Sequence, residues 1–346
     1  MSKTCILLIA CALAAALCGC GEDGPSVVLY VSADEHLARE VIERFEQDTG
    51  IEVLLVGDTE ASKTTGLVER LRAERDAPQA DVFWSSEIFM TLDLADEGVL
   101  APHESTAVED WPAAWRDPAG RWYGFAARAR VIVYATNRVS AADVPDSWTD
   151  LDDAEWRGRV VMADPRFGTT GGHLGAMKAY WDRAYQPGIY GAWLIGLQEN
   201  GVRLLPSGNA GVVRAVADGE ADLGMTDTDD VWAAQALGLE VDLVYPRHGV
   251  DDIPGTGTLL IPNTVGRVAG GPNADAAGAL IDFLLSETVE RMMAESSSRN
   301  IPLRPSLADV YPESAVPNTL EIDYRRAARS RTKAVEMAME RLGGAQ

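Results

Sequence analysis

Short apolar runs alternate with helical stripes along this chain, and that alternation narrows the choice of fold more than any other feature. Val27-Val28-Leu29-Tyr30-Val31 is a continuous apolar run, as expected of a strand buried on both faces. Across residues 36–48, Leu37, Val41, Ile42 and Phe45 recur at helical spacing, and Gly50 stands where a C-cap belongs. Residues 51–56 read as a second strand. A Thr/Ser-rich turn at 59–65 leads to a helix carrying Leu67, Val68 and Leu71, and Asp81-Val82-Phe83-Trp84 reads as a third strand. A βαβαβ order of this kind calls for parallel neighbours with helices on both faces.

The rhythm returns further on. Val131-Ile132-Val133-Tyr134, Val160-Val161-Met162, Val202-Arg203-Leu204-Leu205 and the segments 221–225 and 257–261 are strand-like. Helices are expected over 189–200 and from Asn209, as N-cap, through Val212, Val213 and Val216. One long helix is expected over 274–293, with Leu280, Ile281, Leu284 and Leu285 buried. There is no internal repeat. Two α/β lobes with a cleft between them account for the pattern, and 346 residues at 47% hydrophobic content suffice to build them.

The chain begins with one cation, Lys3, and an apolar run over 5–17 that is too short to span a bilayer and fits a secretory signal core. Leu17-Cys18-Gly19-Cys20 then resembles the lipobox of bacterial lipoproteins. On that reading residues 1–19 are removed and Cys20 carries the lipid. An ordinary signal with Cys20 incidental is the alternative. Gly21-Glu22-Asp23-Gly24-Pro25 lies within an expected tether over 20–26. The four cysteines, at 5, 11, 18 and 20, all fall in or beside this segment, so the mature body has no disulfide, thiolate ligand or thiol nucleophile. The formal charge of −23 argues against a nucleic-acid partner. The four histidines form no HxH or HExxH pattern, and there is no GxSxG elbow or P-loop, so no enzyme class is indicated.

Several stretches resemble the ferric-iron class of periplasmic solute-binding proteins of ABC importers. They are VLYVSADE at 28–35, FEQDTGIEV at 45–53, GLVERLRAER at 66–75, ADVFWSSE at 80–87 and ARARVIVYATN at 127–137. FGTTGG at 167–172, GVVRAVADGEADLGMTDTDD at 211–230 and IPLRPS at 301–306 keep the same order and spacing. The resemblance implies an α/β, two-lobed type II periplasmic-binding-protein fold. Each lobe would be a mixed, mostly parallel sheet flanked by helices, with two hinge crossings near 128–133 and 254–259. It divides the chain into lobe 1 (27–128 plus 257–298) and lobe 2 (129–256 plus 299–346).

The same resemblance implies a ligand site and exposes a departure from the family. The paired tyrosines that hold iron in typical members fall on Asp229 and Asp230. The His position after the first strand falls on Asp34 or Glu35, and the glutamate after the third on Ser86, beside Glu87. What remains is a carboxylate set: Glu35 (or Asp34), Glu87, Asp227, Asp229 and Asp230. Oxygen ligands of this kind suit hard cations, although the same groups also suit an amine or hydroxyls, and Asp227 to Asp230 suit a helix cap. On the anion side, Gly168, Thr169, Thr170 and Gly171 match the family's Ser/Thr-Gly turn, whose amides, hydroxyls and helix end receive an oxyanion. Asn209 matches a further anion contact, and Arg128 is placed to clamp an anion or to bridge the lobes. Glu60, Ser62 and Lys63 form a second possible cradle or a plain helix cap, and His173 stands above the GTTGG turn.

The function implied is that of an extracytoplasmic binding lipoprotein, held in the periplasm or at the cell surface by its lipid anchor. It would hand its ligand to permease and ATPase subunits, and it is expected to be monomeric. No catalytic cofactor is implied. The ligand is either ferric iron or another hard metal ion with carbonate or phosphate, or a small organic anion (phosphonate, sugar phosphate or carboxylate) without metal.

Overall fold

The computed structural model describes residues 24–57, 63–109, 111–185, 187–249 and 254–344. Cys20, the segment 1–19, the start of the tether, and Glu60 and Ser62 lie outside the described residues. Ten strands among the described residues form one curled sheet: β1 (Ser26–Val31), β2 (Glu52–Gly57), β3 (Val82–Ser85), β4 (Leu100–Ala101), β5 (Tyr123–Ala135), β6 (Val160–Ala163), β7 (Arg203–Leu205), β8 (Leu223–Asp227), β9 (Val241–Val244) and β10 (Leu260–Val268). Their order is β2-β1-β3-β10-β5-β8-β6-β7, with β4 on β10 and β9 on β5. Parallel pairs occupy the two ends of the sheet, and antiparallel pairs its centre.

Ten α-helices among the described residues cover both faces: α1 (Glu35–Thr49), α2 (Lys63–Ala73), α3 (Phe89–Asp96), α4 (Gly168–Ala184), α5 (Ile189–Glu199), α6 (Gly208–Ala217), α7 (Thr228–Ala236), α8 (Ala274–Leu284), α9 (Glu287–Glu295) and α10 (Tyr324–Leu342). The two-residue period of the strands sorts the core into layers. Val27, Leu29 and Val31, Val82 and Trp84, and Val131 and Val133 point to one face, where they join Leu37, Val41, Ile42 and Phe45 of α1 and Leu280, Ile281 and Leu284 of α8. Tyr30 and Phe83 point to the other face and meet α2 and α3. Ile132, Tyr134 and Met162 point the same way in the second half and meet α4 and α5. Gly50 closes α1 in the left-handed conformation, φ 71°, with its N–H on Glu46 O.

β5 joins the two halves. It pairs with β10 up to Ala129 and with β8 and β9 from Arg130 onward. Its register against β10 shifts between Pro262 and Asn263, leaving Ala126 as the extra residue of a bulge. Ala126 sits at φ 39°, in the left-handed region. Both of its backbone groups are satisfied by side chains. Its N–H donates to Glu290 Oε1 at 3.1 Å, and its carbonyl accepts from Asn263 Nδ2 at 2.5 Å.

Three expectations change. The long helix over 274–293 is two helices, because the chain breaks at Leu285 and Ser286 restarts it by accepting the Val289 N–H at 3.3 Å. Asn209 is not the cap of α6: it lies within the first turn, after Ser207. Residues 301–304 contact the first half rather than the second, since Ile301 bridges Ala127, and the Leu303 and Arg304 amides bond Glu290 of α9. The C-terminal helix α10 packs along α4 and also reaches α3, where Arg325 pairs with Asp96, and the loop before β5, where it pairs with Asp117 at 2.8 Å.

Candidate ligand cleft

In open α/β sheets, ligands collect beyond the carboxyl ends of the strands. The residues following four of the strands in parallel pairs lie in one cleft: Ser32 after β1, Ser86 after β3, Asp164 after β6 and Pro206 after β7. Asp34, Arg128, Gly168, Thr169, Thr170, Asn209, Asp227, Asp229 and Asp230 complete most of the lining. The helix starts of α4, α6 and α7 all open on this space, and Gly168 and Gly208 begin their helices at φ 59° and 70°. A helix start favours negative charge, so the walls are anion-seeking while the charged side chains of the lining, Arg128 apart, are aspartates.

The floor is a buried polar network. Antiparallel register places Arg130 of β5 opposite Asp227 of β8. Arg130 Nη1 donates to Asp227 Oδ1 at 2.8 Å. Thr169 Oγ1 and Asn209 Nδ2 both donate to Asp227 Oδ2, at 2.6 and 2.7 Å. Thr170 Oγ1 donates to Asn209 Oδ1 at 3.2 Å. Asp227 therefore has both oxygens committed to protein donors, an arrangement that orients the wall more than it presents a carboxylate to a ligand. Asp229 pairs with Arg128 at 3.3 Å. Oxygen atoms of Asp227, Asp229 and Asp230 all lie within 4.8 Å of one another, a spacing that one metal ion can bridge. Burial works against the charge of Arg128, but Asp229, Asp227, Asp34 and Asp230 outweigh it and hold its pKa above the ordinary value.

Across the cleft the first half presents hydroxyls. Thr64 Oγ1 donates to Ser32 Oγ at 3.0 Å, and Ser32 Oγ accepts the Ser86 N–H at 2.9 Å. At the rim, Thr65 Oγ1 donates to Arg166 O at 3.3 Å, joining α2 to the turn before α4. The space left is ≈ 40 Å³, room for roughly three waters at ~10–15 Å³ each.

The structure gathers Arg128, Gly168, Thr169, Thr170, Asn209, Asp227, Asp229 and Asp230 into this cleft and leaves three expected residues outside its lining. Glu35 is exposed on α1 and pairs with Arg39 at 2.6 Å, while its neighbour Asp34 faces the cleft. Glu87 is fully buried and accepts the Phe89 and Met90 amides at 2.7 and 2.9 Å, closing the start of α3. Gly171 serves close packing, since a Cβ there would lie 2.3 Å from Pro165 O. The rule that ligands sit past the strand ends would have pointed to Ser32 and Asp164, which motif matching passed over, and the family's glutamate position falls on Ser86, which lines the cleft in place of Glu87.

A family model described as bacterial extracellular solute-binding protein matches residues 77–327. The chain belongs to this family. Among curated relatives, this solute-binding protein is similar to Iron uptake protein A1 of Synechocystis sp., at 27% identity over 84% of this chain and 83% of that one. Among solved structures it is similar to iron-bound HitA of Pseudomonas aeruginosa, with TM-score 0.76, 21% identity, and 91% and 99% of the two chains covered. It is likewise similar to AfuA of Actinobacillus pleuropneumoniae with fructose-6-phosphate bound, with TM-score 0.73, 19% identity, and 92% and 99% covered. The structural likenesses establish the two-lobed periplasmic-binding-protein fold of this solute-binding protein. Its family is one of binding proteins, not of enzymes.

Proposed function

We propose that this protein is the capture subunit of an ABC importer and that it closes on ferric iron, or another hard metal ion, together with a small oxyanion. The carboxylate cluster at the start of α7 carries the reading. Asp229 and Asp230 stand within reach of one cation beside Asp227, and Asp34 lies across the same cleft. The backbone amides at the start of α4, at Thr169 and Thr170, supply the donors for carbonate or phosphate, while their hydroxyls hold the wall. Asp227 sets the wall, with Arg130, Thr169 and Asn209 on its oxygens. The iron-linked names of the curated relative and of HitA support the metal. The narrow cleft supports a small ligand.

The lobes are taken as 27–128 with 257–298, and 129–256 with the C-terminal remainder, except that 301–304 belong with the first. A lipid on Cys20, a monomeric state, and a permease with its ATPase as partners complete the proposal. Cys20→Ala should move the protein from the membrane to the soluble fraction.

Elemental analysis and native mass spectrometry of protein purified without refolding test the ligand. Retained metal supports the reading, and Asp229→Asn with Asp230→Asn should weaken ferric citrate binding at least about tenfold, as losses at metal sites do. No tyrosine is among the described residues lining the cleft, so the ferric complex should lack the visible phenolate-to-iron absorption. A discrete organic mass without metal would overturn the reading in favour of a small organic anion. That second reading draws on the three helix starts, on Arg128 and on the likeness to AfuA; a ligand of sugar-phosphate size requires a wider cleft than this one.

A further inference from the structure

Two of the four histidines, His173 of α4 and His248 before the second crossing, are buried to 0% and 1% exposure, far apart in sequence and touching in space. They complete a chain of hydrogen bonds that begins at the cleft floor. Asp227 Oδ1 accepts from Arg130 Nη1 at 2.8 Å, and Arg130 Nε donates to His173 Nδ1 at 3.2 Å. His173 Nε2 meets His248 Nε2 at 3.0 Å, and His248 Nδ1 meets Gly257 O at 2.7 Å.

The partners fix the protons. A carbonyl only accepts, so His248 carries its proton on Nδ1 and leaves Nε2 bare. His173 must then donate from Nε2, which leaves its Nδ1 bare to receive Arg130. Both rings are neutral, each in one tautomer, and every bond from Arg130 to Gly257 O points the same way, while Arg130 Nη1 donates back to Asp227. The far end is mechanically placed. Gly257 begins the stretch that enters β10, and a Cβ there would lie 2.3 Å from Asn318 O. His248 N and Gly249 N both donate to Thr256 O, at 2.8 and 3.0 Å. Leu259 O accepts the Arg130 N–H at 2.9 Å.

We propose that His173 and His248 are positioning residues that tie the Arg130–Asp227 floor of the ligand cleft to the second hinge crossing at Gly257, so that closure on ligand requires both rings neutral. The inference rests on the proposed binding role. A proton on His248 Nε2 would set N–H against N–H at His173, and a proton on His173 Nδ1 would do the same at Arg130; either event cuts the relay. The charged and ionisable groups around the pair are few. Arg130 comes from β5, Asp227 lies behind it, and the Tyr180 ring of α4 is 6.4 Å from His248. Trp148 packs 4.5 Å from His173 and carries no charge, and Arg247 turns away to Asp146 at 2.5 Å. Burial and Arg130 both favour the neutral rings.

His173→Asn keeps an acceptor for Arg130, and His248→Asn keeps a donor for Gly257 O; each cuts only the central link. With ferric citrate as probe at pH 7, each variant should bind about tenfold more weakly, the scale of one buried hydrogen bond. The double variant should be no worse than either single one, because the singles break the same link. Wild-type affinity should fall from pH 6 to 4 more steeply than that of the variants. Unchanged affinity, or additive losses, in variants with native circular dichroism would overturn the relay.

Should the wild type bind no ferric citrate, the metal reading fails and the relay is judged on ligand-free protein. Trp148 and Trp181, whose Nε1 donates to His248 O at 2.8 Å, should report an acid fluorescence transition that His248→Asn abolishes; its persistence in that variant would refute the proposal. Should the variants fail to fold, histidine-selective nitrogen NMR of the wild type decides. Nδ1-protonated His248 and Nε2-protonated His173 at pH 7 support the relay, and mixed tautomers or a charged ring refute it.

Discussion

Glu87 gives both carboxylate oxygens to the free amides of Phe89 and Met90 at the start of α3, so its role ends inside the first half. Burial raises its pKa to about 7, against the opposing pull of Arg331 and of those two amides. The folded value stands above the ordinary 4.5, so its contribution to stability is complete below pH 4.5 and is lost as pH rises through about 7. Glu87→Gln removes one acceptor and should cost about 1 kcal/mol at pH 6, read by thermal melts. Ferric citrate affinity should stay at the wild-type value, in contrast to Asp229→Asn. Equal loss in both would return Glu87 to the ligand set. At this scale the sequence was informative where a side chain's position in the cleft follows from its place after a strand, as for Asp229 and Thr170. It misled where neighbours decide the role. Nothing in Ser-Ser-Glu at 85–87 says that Ser86 faces the cleft while Glu87 turns to a helix.

The glycines of α4 act together as an element. A Cβ on Gly172 would lie 2.1 Å from the Phe89 ring of α3, and one on Gly175 would lie 2.7 Å from Ala327 O of α10. The FGTTGG turn thus serves two purposes: Gly168, Thr169 and Thr170 line the cleft, and the glycines that follow let three helices meet. Gly172→Ala should cost about 1–3 kcal/mol by overpacking, measured by denaturant unfolding, and should weaken ligand closure because Phe89 and Gly172 face each other from opposite halves. The bulge in β5 behaves differently. Ala126→Gly removes the left-handed penalty of roughly 1–2 kcal/mol, partly offset by glycine's greater freedom when unfolded; an unfolding midpoint equal to or above that of the wild type is the expected outcome. Most strand and helix periods were legible, since apolar spacing is a local property, but α3, β4 and β9 were not read, and the strand expected at 257–261 is β10, over Leu260–Val268. The break at Ser286 was not legible, because Leu284 and Leu285 carry the stripe up to it and Val289 and Met293 resume beyond it. Nor was the bulge, because alanine rarely marks a left-handed residue and Ala126 holds that conformation through Glu290 and Asn263.

For the molecule as a whole, acid is the expected weakness. Burial lowers the pKa of His248 to about 4 and that of His173 well below the ordinary 6.5. The unfolded chain takes up protons that the folded one refuses, so stability is complete above pH 6.5 and is lost as pH falls through about 4. Melting temperatures at pH 7, 5.5 and 4.5 should fall in that order, and less so in His248→Asn; a flat profile in the wild type would contradict neutral burial.

The order of the strands bears on how the chain is made. β10 lies between β3 and β5, and α10, the last element of the chain, lies against helices of both halves. A polypeptide emerging from its amino end therefore displays β3 and the first part of β5 with vacant edges until residue 268 has appeared, and α4 with an open flank until residue 342 has. Neither half completes on its own. Assembly is expected to be post-synthetic and slow, as sequence-distant pairing dictates, which leaves an interval in which an unfolded chain remains competent to be threaded through a narrow channel.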